Sequence, residues 1–322
     1  MPSYSRPALP AVIVGFEQNG LAVARALHAQ GVECVGIGAP GRQPTHATRA
    51  CRVVSCAEWS EAGLLDCLRE LARTLPARTP VLITKDEAVL WISRNRESIG
   101  HHFAISLPDR DTVELLMTKS RFQQLAESRG WPVPFTIAVA CEDDLTAALG
   151  SVRYPCIVKP AVRTSRFRRN VAEKVFHVRS QDQLLELYRR LAQWEPEMVI
   201  QEWIEGGDDR IAYCLACYGR SGEPLALYPG RKLRQYPVDH GVTAVAAPAP
   251  PEWREALTRL TDSMFRDLGY RGLGSVEYKM RPDGSPVIME PTVGRTNWQS
   301  EIAVVNGINI PYLAYSDLAG VP

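Results

Sequence analysis

Near its N-terminus the chain reads Ala11-Val-Ile-Val-Gly15, an unbroken apolar run. A turn bounded by glycines, Gly15-Phe-Glu-Gln-Asn-Gly20, leads into Leu-Ala-Val-Ala-Arg-Ala-Leu-His28, and Gly31 separates this stretch from a second apolar run at residues 32–37. A short run that is apolar at every position predicts a strand buried on both faces. Strand, helix and strand in that order predict a βαβ unit, which demands a parallel sheet. A helix over residues 60–75 and a strand over 80–84 extend the alternation. The first ~110 residues therefore read as a doubly wound α/β domain.

Beyond that point the pattern changes. An amphipathic helix over 120–130 is closed by Gly130, and Trp131-Pro-Val-Pro134 punctuates the chain. A strand at 155–160, a basic loop, a strand at 174–178, a helix at 181–193 and a strand at 198–204 follow. From residue 211 longer antiparallel strands, a helix at 251–268, a hairpin and helices near Gly307 and Pro311 complete an α+β half. The expected division is 1–115, 116–204 and 205–322.

Among the 322 residues, 37 Lys and Arg balance 36 Asp and Glu, so any anion site must be local rather than a property of the whole surface. No apolar run approaches a membrane span. The opening residues have no signal-like apolar region, which predicts no secretory signal and a cytoplasmic protein. Eight cysteines are scattered, and the single Cys214-Leu-Ala-Cys217 lies in a strand-like run without a second pair, as expected for structural thiols.

The stretch Gly274–Gln299, GSVEYKMRPDGSPVIMEPTVGRTNWQ, carries the clearest chemistry. Arg281-Pro-Asp-Gly-Ser285 reads as a turn, with Gly284 suited to the left-handed position. A four-residue loop sets Glu277 opposite Glu290. A two-residue loop places them diagonally on one face, and a three-residue loop with a glycine bulge separates them onto opposite faces. Opposed like charges are unfavourable unless neutralised. A Mg2+ ion, which typically takes one or two protein carboxylates plus phosphate oxygens, would neutralise them, whereas a solvated hairpin face needs no ion.

Other stretches favour anions. Lys159 ends the apolar YPCIVKP, where a lysine needs a negative partner. Arg163-Thr-Ser-Arg-Phe-Arg-Arg169 places four arginines in seven residues, a composition able to close over phosphates. Its lone aromatic, Phe167, argues against RNA binding. Gln201-Glu-Trp-Ile204 precedes a glycine-bearing acidic stretch that includes Asp208. The Gly15–Gly20 turn lacks the GxGxxG spacing of nicotinamide dinucleotide sites and suits a substrate wall or simply a tight turn. Arg231-Lys-Leu-Arg234 adds charge on an extended segment and reads equally well as a solvated face.

Taken in order, MTKSRF, YPCIVKP, the basic loop, VIQEWIEGGDD and VEY…VIMEPT resemble the ATP-grasp superfamily over nearly the whole chain. RKLRQYP and EPTVGRTNWQ are similar to a branch of carboxylate–amine ligases related to D-aspartate ligase. The resemblance implies a Rossmann-like pre-ATP-grasp domain followed by two α+β subdomains clasping ATP, with a flexible loop in the first of them. It implies that Lys119 and Lys159 touch ATP phosphates, that Gln201, Glu202, Trp203 and Ile204 hold adenine, and that Asp208 binds ribose. It also implies that Glu277 and Glu290 hold Mg2+ or Mn2+. The chain departs from the family in having Thr292 where Asn is usual, an Arg-rich loop where Gly and Ser are usual, and Thr118 before Lys119. With Thr292 in place of Asn, Asn297 or water is left to complete the metal shell.

The implied activity is ATP-dependent joining of a small-molecule carboxylate to an amine through an acyl phosphate, giving ADP and phosphate. Arg295 and Arg234 are candidates for holding the γ-phosphate or the oxyanion. Gly15, Asn19, Lys85, Asp86 and Glu87 are candidates for the substrate wall. The sequence does not give the oligomeric state, a homodimer being one option, and no nucleic-acid or membrane partner is expected. A single-substrate kinase or cyclase, and a nucleotide-binding regulator without turnover, are the competing readings.

Overall fold

A computed structural model of the chain describes residues 9–41, 43–161, 164–173, 175–236 and 242–321. Arg163 of the basic loop, Lys174 of the expected strand and Pro237 of RKLRQYP lie outside these residues. The chain divides into two compact units: residues 131–206 form one, and residues on both sides of that stretch form the other.

In the larger unit, β1 (Ala11–Val14), α1 (Gln18–His28), β2 (Cys34–Gly38), β3 (Arg52–Ser55), α2 (Glu61–Ala72), β4 (Thr79–Ile83), α3 (Asp86–Arg94), α4 (Arg96–Ile99) and β5 (Phe103–Ala104) build a parallel sheet of order β3-β2-β1-β4-β5. β1 and β4 are buried at every position, as strands covered on both faces must be. Ser60 caps α2 by accepting a hydrogen bond from the Gly63 N–H at 3.2 Å, satisfying one orphan donor of its first turn. Two further helices follow, α5 (Arg110–Met117) and α6 (Lys119–Ser128).

The smaller unit contains β6 (Thr136–Val139), α7 (Glu142–Ala148), β7 (Cys156–Pro160), α8 (Ser165–Asn170), β8 (Phe176–Val178), α9 (Gln181–Ala192) and β9 (Met198–Glu202). Its sheet is antiparallel, in the order β6-β9-β7-β8. Val158, Met198 and Ile200 of the sheet share a core with Leu184, Tyr188 and Leu191 of α9. The segment expected to be a flexible basic loop is in part the short helix α8. Thr164 caps it by accepting from the Phe167 N–H at 3.2 Å, and fully buried Phe167 anchors it in the core.

The chain then returns to the larger unit as β10 (Ile211–Tyr218), β11 (Pro224–Tyr236), β12 (Val242–Pro248), α10 (Pro251–Asp267), β13 (Gly272–Met280), β14 (Pro286–Val293), α11 (Ser300–Val305) and α12 (Ile310–Ala319). The strands form one antiparallel sheet of order β12-β11-β10-β13-β14. Tyr213, Leu215 and Cys217 of β10 pack in a single core with Ile13 of β1, Phe16 of the turn after it, Leu27 of α1 and Tyr315 of α12. Residues on the opposite face meet α10, where the Thr261 and Tyr278 hydroxyls share a hydrogen bond of 2.6 Å. Cys214 and Cys217 fall on opposite faces of β10, because odd spacing on a strand changes side. Burial pushes each thiol up to about 12, as expected of inert structural cysteines.

Candidate functional site

The hairpin between β13 and β14 pairs Glu277 directly with Glu290. Of the three loop lengths the sequence leaves open, the structure takes the three-residue one and still reaches this pairing. Gly284 is left-handed at φ +84°, its N–H donates to the Arg281 carbonyl at 2.9 Å, and Arg281 N–H donates to the Ser285 carbonyl at 2.9 Å. The connection is therefore the three-residue type, Pro282-Asp283-Gly284. By itself it would set Glu277 opposite Met289. A bulge between Tyr278 and Glu277 skips Met289 and brings Glu290 into register.

Two ammonium groups meet the acids. Lys232 of β11 places Nζ 2.6 Å from Glu277 Oε2, with the lysine side chain 6% exposed and the glutamate 28%. Lys119, at the start of α6, places Nζ 3.4 Å from Glu290 Oε2. Burial pushes the Glu277 carboxyl above its ordinary range, with Glu290 adding to the rise and Lys232 and Lys119 opposing it. Lys232 is the residue that sequence reasoning missed. Within RKLRQYP it looked like one charge on a solvated strand, and only the alternation of β11 puts it on the inner face.

The donor set suits Mg2+. Two cross-strand carboxylates with no third His, Cys, Asp or Glu among the described residues match an ion that completes its shell with water and phosphate oxygens. Thr292 pairs across the hairpin with Ser275, and Asn297 Nδ2 donates to Ser275 Oγ at 3.0 Å. Asn297 Oδ1 accepts from the Trp298 N–H at 2.9 Å, so its amide already has partners on both atoms.

Past β14, Arg295 clasps Asp86 at the start of α3, with Nε–Oδ1 2.5 Å and Nη2–Oδ2 3.0 Å. Thr296 is tied to Asn19, whose Nδ2 donates to the Thr296 carbonyl at 2.9 Å. Both polar ends of buried Asn19 are used in this way, because its Oδ1 accepts from Thr296 Oγ1 at 3.3 Å. Lys85 pairs with Glu17, and Glu87 accepts from Trp59 Nε1 at 2.8 Å. Gly15 is left-handed at φ +92°, and a Cβ there would lie 2.5 Å from Lys85 Cγ. The loop and the α3 start are thus bound to each other and to Arg295, close to the metal-type acids along the chain. Arg234 is exposed beside a bulge in β11, and its side chain makes no hydrogen bond or ion pair to the described residues.

Asp208 opens a short 3-10 turn before β10. Its carboxylate accepts from Gln235 Nε2 at 2.8 Å and from Gln235 N–H at 2.9 Å. The Gln235 amide, with help from Lys279 and Lys232, holds the Asp208 carboxyl below its usual range.

In the smaller unit, Lys159 and Gln201 are neighbours across β7 and β9, with Lys159 Nζ 3.5 Å from Gln201 Oε1. Gln201 Nε2 donates to Thr136 Oγ1 at 3.0 Å. The backbone N–H groups of Glu202 and Trp203 are taken by the carbonyls of Phe135 and Pro155. Ile204 is buried and makes no backbone hydrogen bond to the described residues. An N–H and a C=O left over at the end of a strand fit the edge of a purine. Trp203 packs edge-on against His177 at 4.5 Å. Arg166, one of the basic-loop arginines, donates to the Gln193 carbonyl and lies over Trp194.

No protein-family model matches the chain. In sequence it is similar to the D-alanine–D-alanine ligase of Laribacter hongkongensis (strain HLHK9), 25% identical over 178 residues that cover 54% of this chain and 55% of that one. Across the curated relatives that it matches, the chain spans 33% to 66% of their length. In structure it is similar to an N5-carboxyaminoimidazole ribonucleotide synthetase solved as an ADP complex, with TM-score 0.69 at 15% identity, covering 100% of this chain and 80% of that one. An L-amino acid ligase from Bacillus licheniformis gives TM-score 0.64 at 17% identity, covering 98% and 75%. The TM-scores establish the fold that this chain shares with those solved structures. The chain has that fold, and it has sequence relatives among the D-alanine–D-alanine ligases.

Proposed function

We propose that the protein is an ATP-dependent ligase that joins a small-molecule carboxylate to an amine. The single observation that carries this reading is the directly opposed pair Glu277 and Glu290, each matched to a lysine. The D-alanine–D-alanine ligase and L-amino acid ligase similarities support the acid–amine class, and the ADP complex of a structural neighbour supports the nucleotide. The narrower likeness to D-aspartate ligase leaves the identity of the acid open.

In the larger unit, Glu277 and Glu290 would hold Mg2+ or Mn2+, and Asp208 would accept from ribose hydroxyls. A divalent ion there supplies neutralisation of the charge that spreads over a transferring phosphoryl group. Lys119 would meet a phosphate. Arg295, oriented by Asp86, is assigned to the γ-phosphate or the tetrahedral oxyanion, and exposed Arg234 is the second candidate. Gly15, Asn19, Lys85, Asp86 and Glu87 are assigned to the substrate wall, through the loop they shape rather than through free side-chain groups. In the smaller unit, Lys159 would meet phosphate, and Gln201, Glu202, Trp203 and Ile204 would hold adenine, with Ile204 offering its backbone.

The reaction balances as two transfers. The acid's oxygen takes the γ-phosphoryl group and ADP leaves; the amine then forms the C–N bond, phosphate leaves and the amine proton passes to solvent. The division into 1–115, 116–204 and 205–322 is our proposed division of labour among substrate, nucleotide and metal. A cytoplasmic location and a homodimer complete the proposal. Among the described residues no helix is long and apolar enough to cross a membrane.

ADP release measured over a panel of acids and amines tests the reading, with mass spectrometry of the condensed product. Release that requires both partners supports it. Release with one substrate alone would favour the kinase or cyclase reading, and nucleotide binding without release across the panel would favour a regulator.

A further inference from the structure

Lys232 is an unusual occupant for the inner face of a sheet. Its side chain is 6% exposed, and its ammonium sits 2.6 Å from Glu277, the acid directly opposed to Glu290. Gln235 Oε1, at 3.5 Å, is its other hydrogen-bond partner among the described residues, and the Asp208 carboxylate, itself held by Gln235, lies within electrostatic reach. A buried ammonium persists only when paired, and removing one partner leaves the other charge uncompensated. Lys119, with a side chain 88% exposed and 3.4 Å from Glu290, is the weaker of the two counter-ions. The four side chains together carry no net charge.

We propose that Lys232 is the resident counter-ion of the carboxylate pair, and that it makes divalent-ion binding conditional on the nucleotide. The proposal rests on reading Glu277 and Glu290 as metal ligands. A free divalent ion reaching this site must either displace a buried ammonium whose one ion-pair partner among the described residues is Glu277, or remain beside it as a like charge. Polyphosphate oxygens supply that acceptor, so the lysine can release Glu277 as the ion arrives. Metal and nucleotide therefore enter together, and each raises the affinity of the other by the same factor. A lysine that served only to stabilise the sheet would leave nucleotide-free metal affinity unchanged when its charge is removed.

The test is Mn2+ binding followed by electron paramagnetic resonance, with and without a non-hydrolysable ATP analogue. In the wild-type protein, Mn2+ should bind weakly alone and at least about tenfold more tightly with the analogue, within the usual span of coupling between sites. Lys232→Met should raise nucleotide-free Mn2+ affinity by about tenfold, a gain of the same order, and adding Glu290→Gln should abolish that gain. Wild-type protein that binds Mn2+ equally well with and without the analogue would overturn the proposal while leaving the metal reading intact. A folded Lys232→Met protein with unchanged Mn2+ affinity would also overturn it. If that variant does not fold, Lys232→Gln, which removes the charge but keeps a hydrogen-bonding group beside Glu277, takes its place, and unchanged nucleotide-free Mn2+ affinity in it would overturn the proposal. Mn2+ binding with the analogue that survives Glu290→Gln would instead overturn the metal reading, and the proposal with it.

Discussion

Arg295 and Asp86, 209 residues apart in sequence, form a two-pronged ion pair that ties the segment after β14 to the first turn of α3. The guanidinium is mostly enclosed and the carboxylate half exposed, at 16% and 56%. A planar fork held at two points is fixed in direction as well as in place.

Asp86→Ala should therefore lower kcat by about tenfold or more through misdirection of Arg295, an effect of the size expected when a positioning contact is lost. Stability should fall by about 1 kcal/mol or less, because Asp86 is solvent-screened. Steady-state kinetics and a thermal melt on the same sample separate the two effects.

Glu290→Gln removes one of the two opposed carboxylates. Its side chain is 53% exposed, so the melt should shift by no more than about 0.5 kcal/mol. Mg2+-dependent turnover should fall by about 100-fold or more, consistent with loss of a metal ligand worth several kcal/mol in the transition state. Unchanged turnover would remove Glu290 from the metal role.

Lys159→Ala should weaken ATP binding measured by calorimetry, by about tenfold for the loss of a charged hydrogen bond. Equal affinity would reduce Lys159 to the polar end of a strand that leans on Gln201.

Asp208 gives a pH signature. Gln235 holds its carboxyl below the ordinary value of 3.8, so the interaction stabilises the fold fully above that value and is lost as pH falls through the lower folded-state value. Compared with Asp208→Asn, the wild-type protein should be more stable at neutral pH, and the advantage should shrink only below about pH 4. Urea midpoints at pH 7 and pH 3 measure it.

The parallel sheet was legible from sequence because strands buried on both faces, such as Ala11–Val14, leave an apolar signature that needs no partner to interpret. The acid pair was legible in identity but not in geometry. The turn chemistry at Gly284 could be read, whereas the bulge that skips Met289 has no local sequence signal and appears only when two strands are paired. The Arg-rich stretch misled because charge suggested a loop, while one aromatic, Phe167, decides the local fold by entering the core. Lys232 stayed hidden because its role depends on which face of β11 it occupies, and that is set by long-range pairing with β10.

Anomalous diffraction at the manganese edge, from crystals grown with Mn2+ and a non-hydrolysable ATP analogue, tests the central claim most directly. A peak about 2.1 Å from oxygens of both Glu277 and Glu290, bridged to phosphate, is the predicted result. A manganese peak touching neither carboxylate, with the nucleotide bound, would contradict it.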